Sequence, residues 1–272
     1  MKSTREILSS SSIVETIRER AEAVEKEKRV EVIERVRTRS LKATDSVVES
    51  NALARSEYYM TANENRLLKL SIAKLDSTLA DADQLQDIPI TAKEFKELFS
   101  VEPKNTYRDM EQAATRLLKR QLTIPEGKNK TTYNLLTQVT YKKHEGTVLI
   151  TINPRLAVHF VGLKERYTQF MIEGMRQFKL FSSARIYELM KSVESQGYYE
   201  IGVDEFKIRV LANAKKYPKF YDLKKWVLEP ALTEINTLSD IQVTYEPIRE
   251  SRKIKKIRFK IKRNDQKKLD LE

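Results

Sequence analysis

The stretch of sequence that decides the fold runs from residue 219 to residue 263 and reads KFYDLKKWVLEPALTEINTLSDIQVTYEPIRESRKIKKIRFKIKR. In its first half, apolar residues recur at helical spacing, which predicts one long helix. These residues are Phe220, Leu223, Val227, Ala231, Ile235 and Leu238. From Ile241 onward apolar and polar residues alternate, which predicts the two strands of a β-hairpin. Pro230 lies inside the long helix, where its missing N–H predicts a kink.

The residues before this stretch complete a winged-helix unit. Apolar spacing predicts a helix from Ile186 to Val193 and a short helix from Phe206 to Leu211, with a possible short strand at 198–201 between them. The order is then helix, short helix, long helix and hairpin. In such a unit the second and third helices form a helix-turn-helix, and the third helix enters the major groove of DNA. The hairpin is the wing.

The first half of the chain repeats this order. Capping boxes at Thr61–Glu64 and Thr91–Glu94 predict the starts of two helices, and the stripe after Thr61 runs as far as Leu79. A third helix is predicted after Asn105, followed by a hairpin that starts at Tyr133 and turns through the basic loop 142–146. Matching features lie 111, 114 and 108 positions apart (205 − 94, 219 − 105 and 241 − 133). This near-constant offset indicates a duplication.

The predicted fold class is therefore α+β, with two tandem winged-helix domains and a charged helical extension before them. The predicted boundaries are 1–45 for the extension, 46–165 and 166–264 for the two domains, and 265–272 for a C-terminal tail. Dense alternating charge predicts a mostly exposed helix from about 13 to 38. This helix has two interpretations: a solvated or partly disordered arm, or a helix that pairs with a partner or a second copy.

The composition indicates an anionic partner. The 272 residues carry 51 Lys and Arg against 39 Asp and Glu, a formal net charge of +12. Nucleic acid is the commonest partner of such a protein, and an acidic membrane surface is the alternative. The absence of cysteine excludes disulfides, thiolate nucleophiles and zinc fingers. With no secretory signal and no long apolar run, we expect a soluble, cytoplasmic protein.

The second unit carries the clearest candidates for contact with double-stranded DNA. Tyr221 and Lys225 project opposite Val227 and are the candidates for base edges, while the wing region 249–268 has eleven basic and two acidic residues, a net +9 (11 − 2). We expect phosphate contacts there, since each one releases counterions; solubility or edge protection is the alternative. The further candidates in this unit are Lys215, Lys216, Tyr217, Lys219, Lys224, Arg252, Lys253, Lys255 and Lys256.

The first unit is less basic. Its third helix presents Tyr107, Arg108 and Gln112 away from the apolar stripe, and its wing tip carries Lys142 and Lys143. These residues predict weaker DNA binding, or a surface shared with a dimer contact. Ordinary solvated positions are the alternative.

No catalytic site, metal site or cofactor is predicted. The six glycines form no phosphate loop. Rolling-circle nickases hold a metal with two closely spaced histidines, whereas His144 and His159 lie fifteen positions apart (159 − 144), and we expect His159 to be a packing residue. The sequence thus favours a DNA-binding protein over a nickase or an ATPase.

Several stretches resemble the initiator proteins of iteron-containing, theta-replicating plasmids, the RepA/RepB/RepE type. They include residues 217–236, YPKFYDLKKWVLEPALTEIN, followed by 241–246, IQVTYE, and 256–259, KIRF, and the most specific part is 227–236. Residues 183–189, SARIYEL, and 50–53, SNAL, are also similar. The resemblance extends from about Val47 to Arg263, so it leaves the first 45 residues outside.

The resemblance implies a plasmid replication initiator whose two domains bind successive major grooves of directly repeated origin sites. It implies that monomers open the origin and recruit the host initiator DnaA and the helicase DnaB. It also implies a homodimer in equilibrium with the monomer, formed largely through the first domain, which represses the protein's own promoter. The fold alone allows a winged-helix transcriptional regulator without an initiator role as well. A partner-binding protein led by the N-terminal helix is a further alternative.

Overall fold

The chain begins with a long helix whose two ends differ in their surroundings. The structure is a computed structural model, and it describes residues 4–99 and 105–264. The first elements are α1 (Thr4–Thr38), β1 (Ser46–Ser50) and α2 (Asn51–Ala54). Helix α1 thus begins earlier than the predicted residue 13. Every residue from 14 to 31 is exposed, whereas Val32 and Val36 are buried.

The C-terminal end of α1 is part of the first unit. Arg29 donates to the carboxylates of Asp81 and Asp83 at 3.0 and 2.8 Å, and Arg35 forms an ion pair with Asp76. Val36 belongs to the hydrophobic core. Residues 14–28 are thus exposed, which leaves open whether they are a solvated arm or pair with a partner, and the prediction of a solvated arm is wrong for the turns from Arg29 onward.

The first unit contains a three-stranded sheet in the strand order β2-β6-β5. In chain order its elements are α3 (Ala62–Lys74), β2 (Ile88–Thr91), α4 (Ala92–Phe99), α5 (Thr106–Leu117), β3 (Gln121–Glu126), β4 (Asn129–Asn134), β5 (Leu136–Lys142) and β6 (Thr147–Ile152). Short 3-10 turns lie at Ala82–Leu85, Lys143–Glu145 and Pro154–His159. The wing is the hairpin β5–β6, and its loop is the predicted basic loop 142–146.

Both predicted capping boxes start helices. At α3 the Glu64 N–H donates to Thr61 Oγ1 at 3.3 Å, and the Thr61 N–H donates to Glu64 Oε2 at 3.2 Å. Thr91 and Glu94 make the same pair of bonds at the start of α4. The extension of α3 to Leu79 is wrong, because the helix ends at Lys74. The Asp76 carboxylate there accepts the N–H and hydroxyl of Thr78 and so forms a turn.

A second hairpin, β3–β4, lies between the third helix and the wing of the first unit. Tyr133 pairs with Leu122 in this hairpin, so the prediction that Tyr133 opens the wing is wrong. Gly127 supplies the left-handed turn with φ +63°. Leu122 and Ile124 are buried, and their alternation was the available signal. Pro125 and the polar strand Asn129–Asn134 obscured it.

The second unit repeats the first without this extra hairpin. Strand β7 (Tyr167–Met171) precedes its first helix, and short 3-10 turns lie at Ile172–Gly174 and Glu194–Gln196. The strands of its sheet lie in the order β8-β10-β9. The middle strand of the sheet is the last strand of the unit, as in the first unit, so the predicted duplication is confirmed. The elements are α6 (Phe181–Lys191), β8 (Tyr198–Gly202), α7 (Val203–Leu211), α8 (Phe220–Leu223), a π-helical turn (Lys224–Leu228), α9 (Glu229–Leu238), β9 (Ile241–Glu250) and β10 (Lys253–Arg263).

A cluster of buried charges joins β1 and α3 of the first unit to α6, the first helix of the predicted second unit. Lys69 of α3 donates to Glu49 of β1 at 2.7 Å and lies 3.1 Å from Glu188 of α6. Arg185 of α6 pairs with Glu188 and donates to the Tyr58 hydroxyl at 2.7 Å. All five side chains, which we call the interunit cluster, are almost completely buried. Strands β1 and β7 also pair across their whole length.

Electrostatics favours the charged forms of Glu188 and Lys69, whereas burial raises the pKa of Glu49. Burial alone would raise the pKa of Glu188, yet the charges of Lys69 and Arg185 keep that pKa below its ordinary value. Burial would lower the pKa of Lys69, but Glu188 and Glu49 outweigh it and raise the pKa. Removing one partner of such a set leaves an uncompensated buried charge. The cluster therefore ties α6 to α3 and β1.

Candidate nucleic-acid interface

The third helix of the second unit presents one buried face and one exposed face. Leu223, Val227 and Leu228 pack in the core. Tyr221 is 67% exposed and Lys225 is exposed on the other side, as predicted. This helix is called the recognition helix below. A tyrosine hydroxyl and a lysine ammonium on an exposed face supply the hydrogen-bond donors that base edges and phosphates accept.

A π-helical turn interrupts the recognition helix in the middle. The Glu229 N–H donates to the carbonyl of Lys224, five residues earlier, and Pro230 has no N–H to donate. The helix therefore has one turn with an extra residue just before Pro230, while the predicted kink stays a prediction. Such turns change the direction of the side chains within them. Two of the side chains in this turn are those of Lys225 and Trp226. Lys225 Nζ lies 4.9 Å from the ring centroid of Trp226.

The loop before the recognition helix carries three exposed lysines, Lys215, Lys216 and Lys219. The Asn213 side chain accepts the backbone N–H groups of Lys215 and Lys216 at 3.0 and 3.2 Å, which orders the turn. Tyr217 is half-buried and packs against the core, with φ +52°. Its ring lies 5.3 Å from Lys216 Nζ. Tyr217 therefore supports this loop and is less accessible than predicted.

The wing of the second unit divides into a tip and a body. Arg249, Arg252, Lys253 and Lys255 at the tip are exposed, and none forms an ion pair with a residue that the structure describes. A β-bulge between Ile254 and Lys256 separates the tip from the body. Bulges of this kind increase the local twist of a strand. The tip, where β9 and β10 extend past the end of β8, therefore presents four positive charges without an ion pair to a described residue.

Acidic neighbours neutralise most of the wing body. Lys256 and Arg258 lie 3.2 and 2.9 Å from the Glu200 carboxylate on β8, and Lys260 lies 3.9 Å from Glu246 on β9. Hydrogen bonds from Arg258 and Lys256 hold the pKa of Glu200 below its ordinary value. DNA phosphates would have to compete with this carboxylate. Of the predicted wing residues, Lys256 is therefore the least available.

The neighbouring Lys224 is likewise paired. Its Nζ lies 3.3 Å from Glu229 Oε1. The hydrogen bond and charge of Glu229 raise the pKa of Lys224. The two neighbouring lysines thus differ in their contacts. Lys225 contacts the ring of Trp226, whereas Lys224 forms an ion pair with Glu229.

The first unit presents a weaker surface. Arg108 and Gln112 are exposed on α5, but Tyr107 packs against the core, and its buried hydroxyl has no hydrogen-bond partner among the described residues. At the wing tip Lys142 pairs with Glu145 at 3.2 Å, while Lys143 is exposed. Gln112 also lines a cleft with two arginines and a lysine. The basic residues of the cleft are Arg66, Arg116 and Lys179.

His159 is a packing residue of the first unit and lies outside this surface. His159 is half-buried, and its Nδ1 lies 2.8 Å from Ser50 Oγ, which confirms that it packs inside the first unit. Across residues 4–99 and 105–264, no three side chains of metal-ligating type come together. Within the same ranges, no helix is long and apolar enough to cross a bilayer.

The sequence reasoning missed two residues of the surface. Trp226 is 59% exposed on the recognition helix, although a tryptophan beside a core stripe usually packs inward. Arg249 lies at the wing tip and was counted only in the total charge. By regular helical spacing Trp226 falls on the same face as Leu223, so the sequence carried no signal for its exposure.

Fold and surface together define a tandem winged-helix DNA-binding protein, and comparison with known proteins gives its family. The family model described as "Initiator Replication protein, WH1" matches residues 46–191, and that described as "Initiator Rep protein, WH2" matches residues 202–261. These matches cover more than half of the chain. The protein therefore belongs to the family of initiator replication proteins.

Individual relatives agree with this assignment. A replication initiation protein of Escherichia coli is 23% identical over 206 residues, which cover 74% of this chain and 65% of the relative. This chain thus matches less than two thirds of that relative's length. The PI protein of Escherichia coli is 24% identical over 231 residues, covering 71% of this chain and 75% of the relative.

A solved structure shares the fold. The crystal structure of Pi initiator protein in complex with iteron DNA has a TM-score of 0.71 and 18% sequence identity. The match covers 83% of this chain and all of that chain. The predicted fold of two tandem winged-helix domains is confirmed.

Proposed function

We propose that this protein initiates plasmid DNA replication by binding directly repeated sites, or iterons, in double-stranded DNA at an origin. The observation that carries the proposal is the second unit, in which one winged-helix domain carries both an exposed recognition helix and a basic wing tip without ion-pair partners among the described residues. Family membership and the similarity to a protein that binds iteron DNA support it.

The joined units favour a site of defined length. With the predicted boundary at 166, the interunit cluster ties the two units together. The recognition helix and α5 then reach the same duplex only if the two DNA segments they contact lie at a fixed spacing. Successive major grooves on one face of DNA are about 10 base pairs apart. Each repeat would then present two contact regions about one helical turn apart.

The exposed residues have different proposed roles. Tyr221 and Lys225 contact base edges, with Gln112 as the counterpart on the first unit. Phosphate contacts come mainly from the unpaired wing tip and the loop before the recognition helix, while paired residues contribute less. The proposed phosphate contacts of the second unit are Lys215, Lys216, Lys219, Arg252, Lys253 and Lys255, and those of the first unit are Arg108 and Lys143. Lys142, Lys224 and Lys256 contribute less to phosphate binding. Tyr107 and Tyr217 support the helix and the loop in which they lie.

The remaining parts of the proposal rest on family resemblance. The monomer would open the origin and recruit host DnaA and DnaB in the bacterial cytoplasm. A homodimer in equilibrium with it would repress the protein's own promoter. The weak DNA surface of the first unit is compatible with a dimer contact there, and the exposed part of α1 offers a second surface. The domain boundaries at 46, 166 and 265 also stay predictions.

A plasmid-replication assay separates an initiator from a transcriptional regulator. The gene and its flanking DNA are placed on a circle without another origin, in the native host. We expect the wild-type protein to maintain the circle, and a tip variant (Arg252→Gln, Lys253→Gln, Lys255→Gln) to lose it. The matched body variant (Lys256→Gln, Arg258→Gln, Lys260→Gln) removes equal charge and should retain replication. Repression of the promoter without any replication would instead indicate a regulator.

A further inference from the structure

An exposed tryptophan lies in the middle of the recognition helix. Trp226 is the single tryptophan of the chain and is 59% exposed. Aromatic side chains of this size bury about 150–250 Å² when they pack. Its apolar area is therefore available to a ligand. Tyr221, one turn earlier, is similarly exposed.

The local backbone keeps the Trp226 ring outside the core. Val227 and Leu228, the next two residues of the helix, are buried and already fill the core positions beside Trp226. The π-helical turn around Trp226 is fixed by the bond from the Glu229 N–H to the Lys224 carbonyl. The ring would have to displace a core residue to turn inward. Its exposure is a property of the helix and of its packing.

The Trp226 ring also carries a positive neighbour. Lys225 Nζ lies 4.9 Å from the ring centroid, within the range of a cation–π contact. The ammonium and the ring therefore present a hydrogen-bond donor and an apolar edge side by side. An apolar protein partner would gain nothing from that donor, whereas a major groove offers acceptors beside a methyl group.

We infer that Trp226 is a specificity-determining residue that contacts the C5-methyl group of a thymine in the major groove. This inference rests on the proposed function. Among the four bases, thymine alone presents an apolar group in that groove. Phosphates and sugars cannot substitute for it, since they carry no equivalent methyl. Lys225, held against the ring, reaches the acceptors of a neighbouring base, for which guanine O6 and N7 are the best match.

The test replaces thymines of one protected repeat by deoxyuridine, one position at a time, which removes only the methyl group. For the wild-type protein we expect one or two positions at which Kd rises about fourfold, the equivalent of about 0.8 kcal/mol for one buried methyl. For Trp226→Ala we expect weaker binding to the thymine-containing repeat and no further loss at those positions. Thermal unfolding of the variant should be unchanged, because the ring is exposed.

Two controls make the result decisive. Tyr198→Ala removes another exposed aromatic of the same unit, on β8, and should keep the wild-type response to uracil. Trp226 fluorescence should change on titration with the repeat and much less with a random duplex. Equal uracil effects in wild type and Trp226→Ala, or equal losses of Trp226→Ala on repeat and random DNA, would overturn the inference.

The two proposals fail in different ways. If the wild-type protein protects no repeats at all, the proposed function is wrong. If it protects repeats, but Trp226→Ala binds them as tightly as the wild type does, the iteron function stands. The exposed ring then serves another partner, and the inference is wrong.

Discussion

The two winged-helix units share one order of elements but differ in the surfaces that they expose. Both have the strand order in which the last strand lies in the middle of the sheet. The second unit ends in a wing of ten- and eleven-residue strands with an unpaired basic tip, whereas the wing of the first has seven- and six-residue strands and a lysine paired with Glu145. Apolar spacing and capping specify the shared fold, and we expect the exposed charges to set how strongly each unit binds DNA.

The largest expected effect lies between the units. Lys69→Met leaves the Glu49 and Glu188 carboxylates buried without their shared cation. We expect the free energy of unfolding to fall by about 3–5 kcal/mol, measured by urea denaturation. Arg18→Met, which breaks an exposed pair with Glu22, should cost less than about 0.5 kcal/mol. Equal effects would show that the cluster does not join the units.

The next effect concerns charge on the second wing. The tip variant removes three unpaired charges, so the slope of log Kobs against log salt should become shallower by about 2–3, at about 0.9 per phosphate contact. The body variant removes three charges that already have acidic partners, and the slope should change by less than about 1. Binding isotherms at several salt concentrations give both values. Identical slopes for the two variants would remove the distinction between tip and body.

A smaller effect compares the two third helices directly. Lys225→Ala should weaken binding to the cognate repeat by about tenfold and to random duplex much less, as expected for a base contact. Gln112→Ala, at an exposed position of α5, should produce a clearly smaller loss. Competition assays with both duplexes measure the two ratios. If Gln112→Ala cost as much as Lys225→Ala, the units would contribute equally.

The smallest effect is expected at the N-terminus. Removal of residues 2–28 takes away the exposed part of α1 and keeps Arg29, Arg35 and Val36, which pack on the first unit. We expect Kd for a single repeat to stay within about twofold, because none of these residues belongs to the proposed surface. A large loss of affinity in a gel-shift assay would place the extension in the DNA interface.

Local signals in the sequence predicted most of the fold. Thr61 and Thr91 start their helices through capping boxes, apolar spacing defines the recognition helix, and Pro230 marks its irregular turn. The hairpin β3–β4 was missed because Pro125 and a polar partner strand obscure its short alternation.

The candidate site was less predictable, because it depends on contacts across the sheet. That Arg258 faces Glu200 follows from the register between β8 and β10, which no local pattern contains. The exposure of Trp226 depends on which neighbours already fill the core. Charge totals thus predicted a basic wing, and only the structure separates its unpaired lysines from its paired ones; DNA contact by the wing stays a prediction.

A nuclease footprint of the purified protein on the DNA that flanks its own gene, in moderate salt, tests the central claim most directly. The account predicts protection of several direct repeats, each with two contact regions about one helical turn apart, together with an inverted pair at the promoter. Protection of a lone palindrome, or no sequence-selective protection, would contradict it.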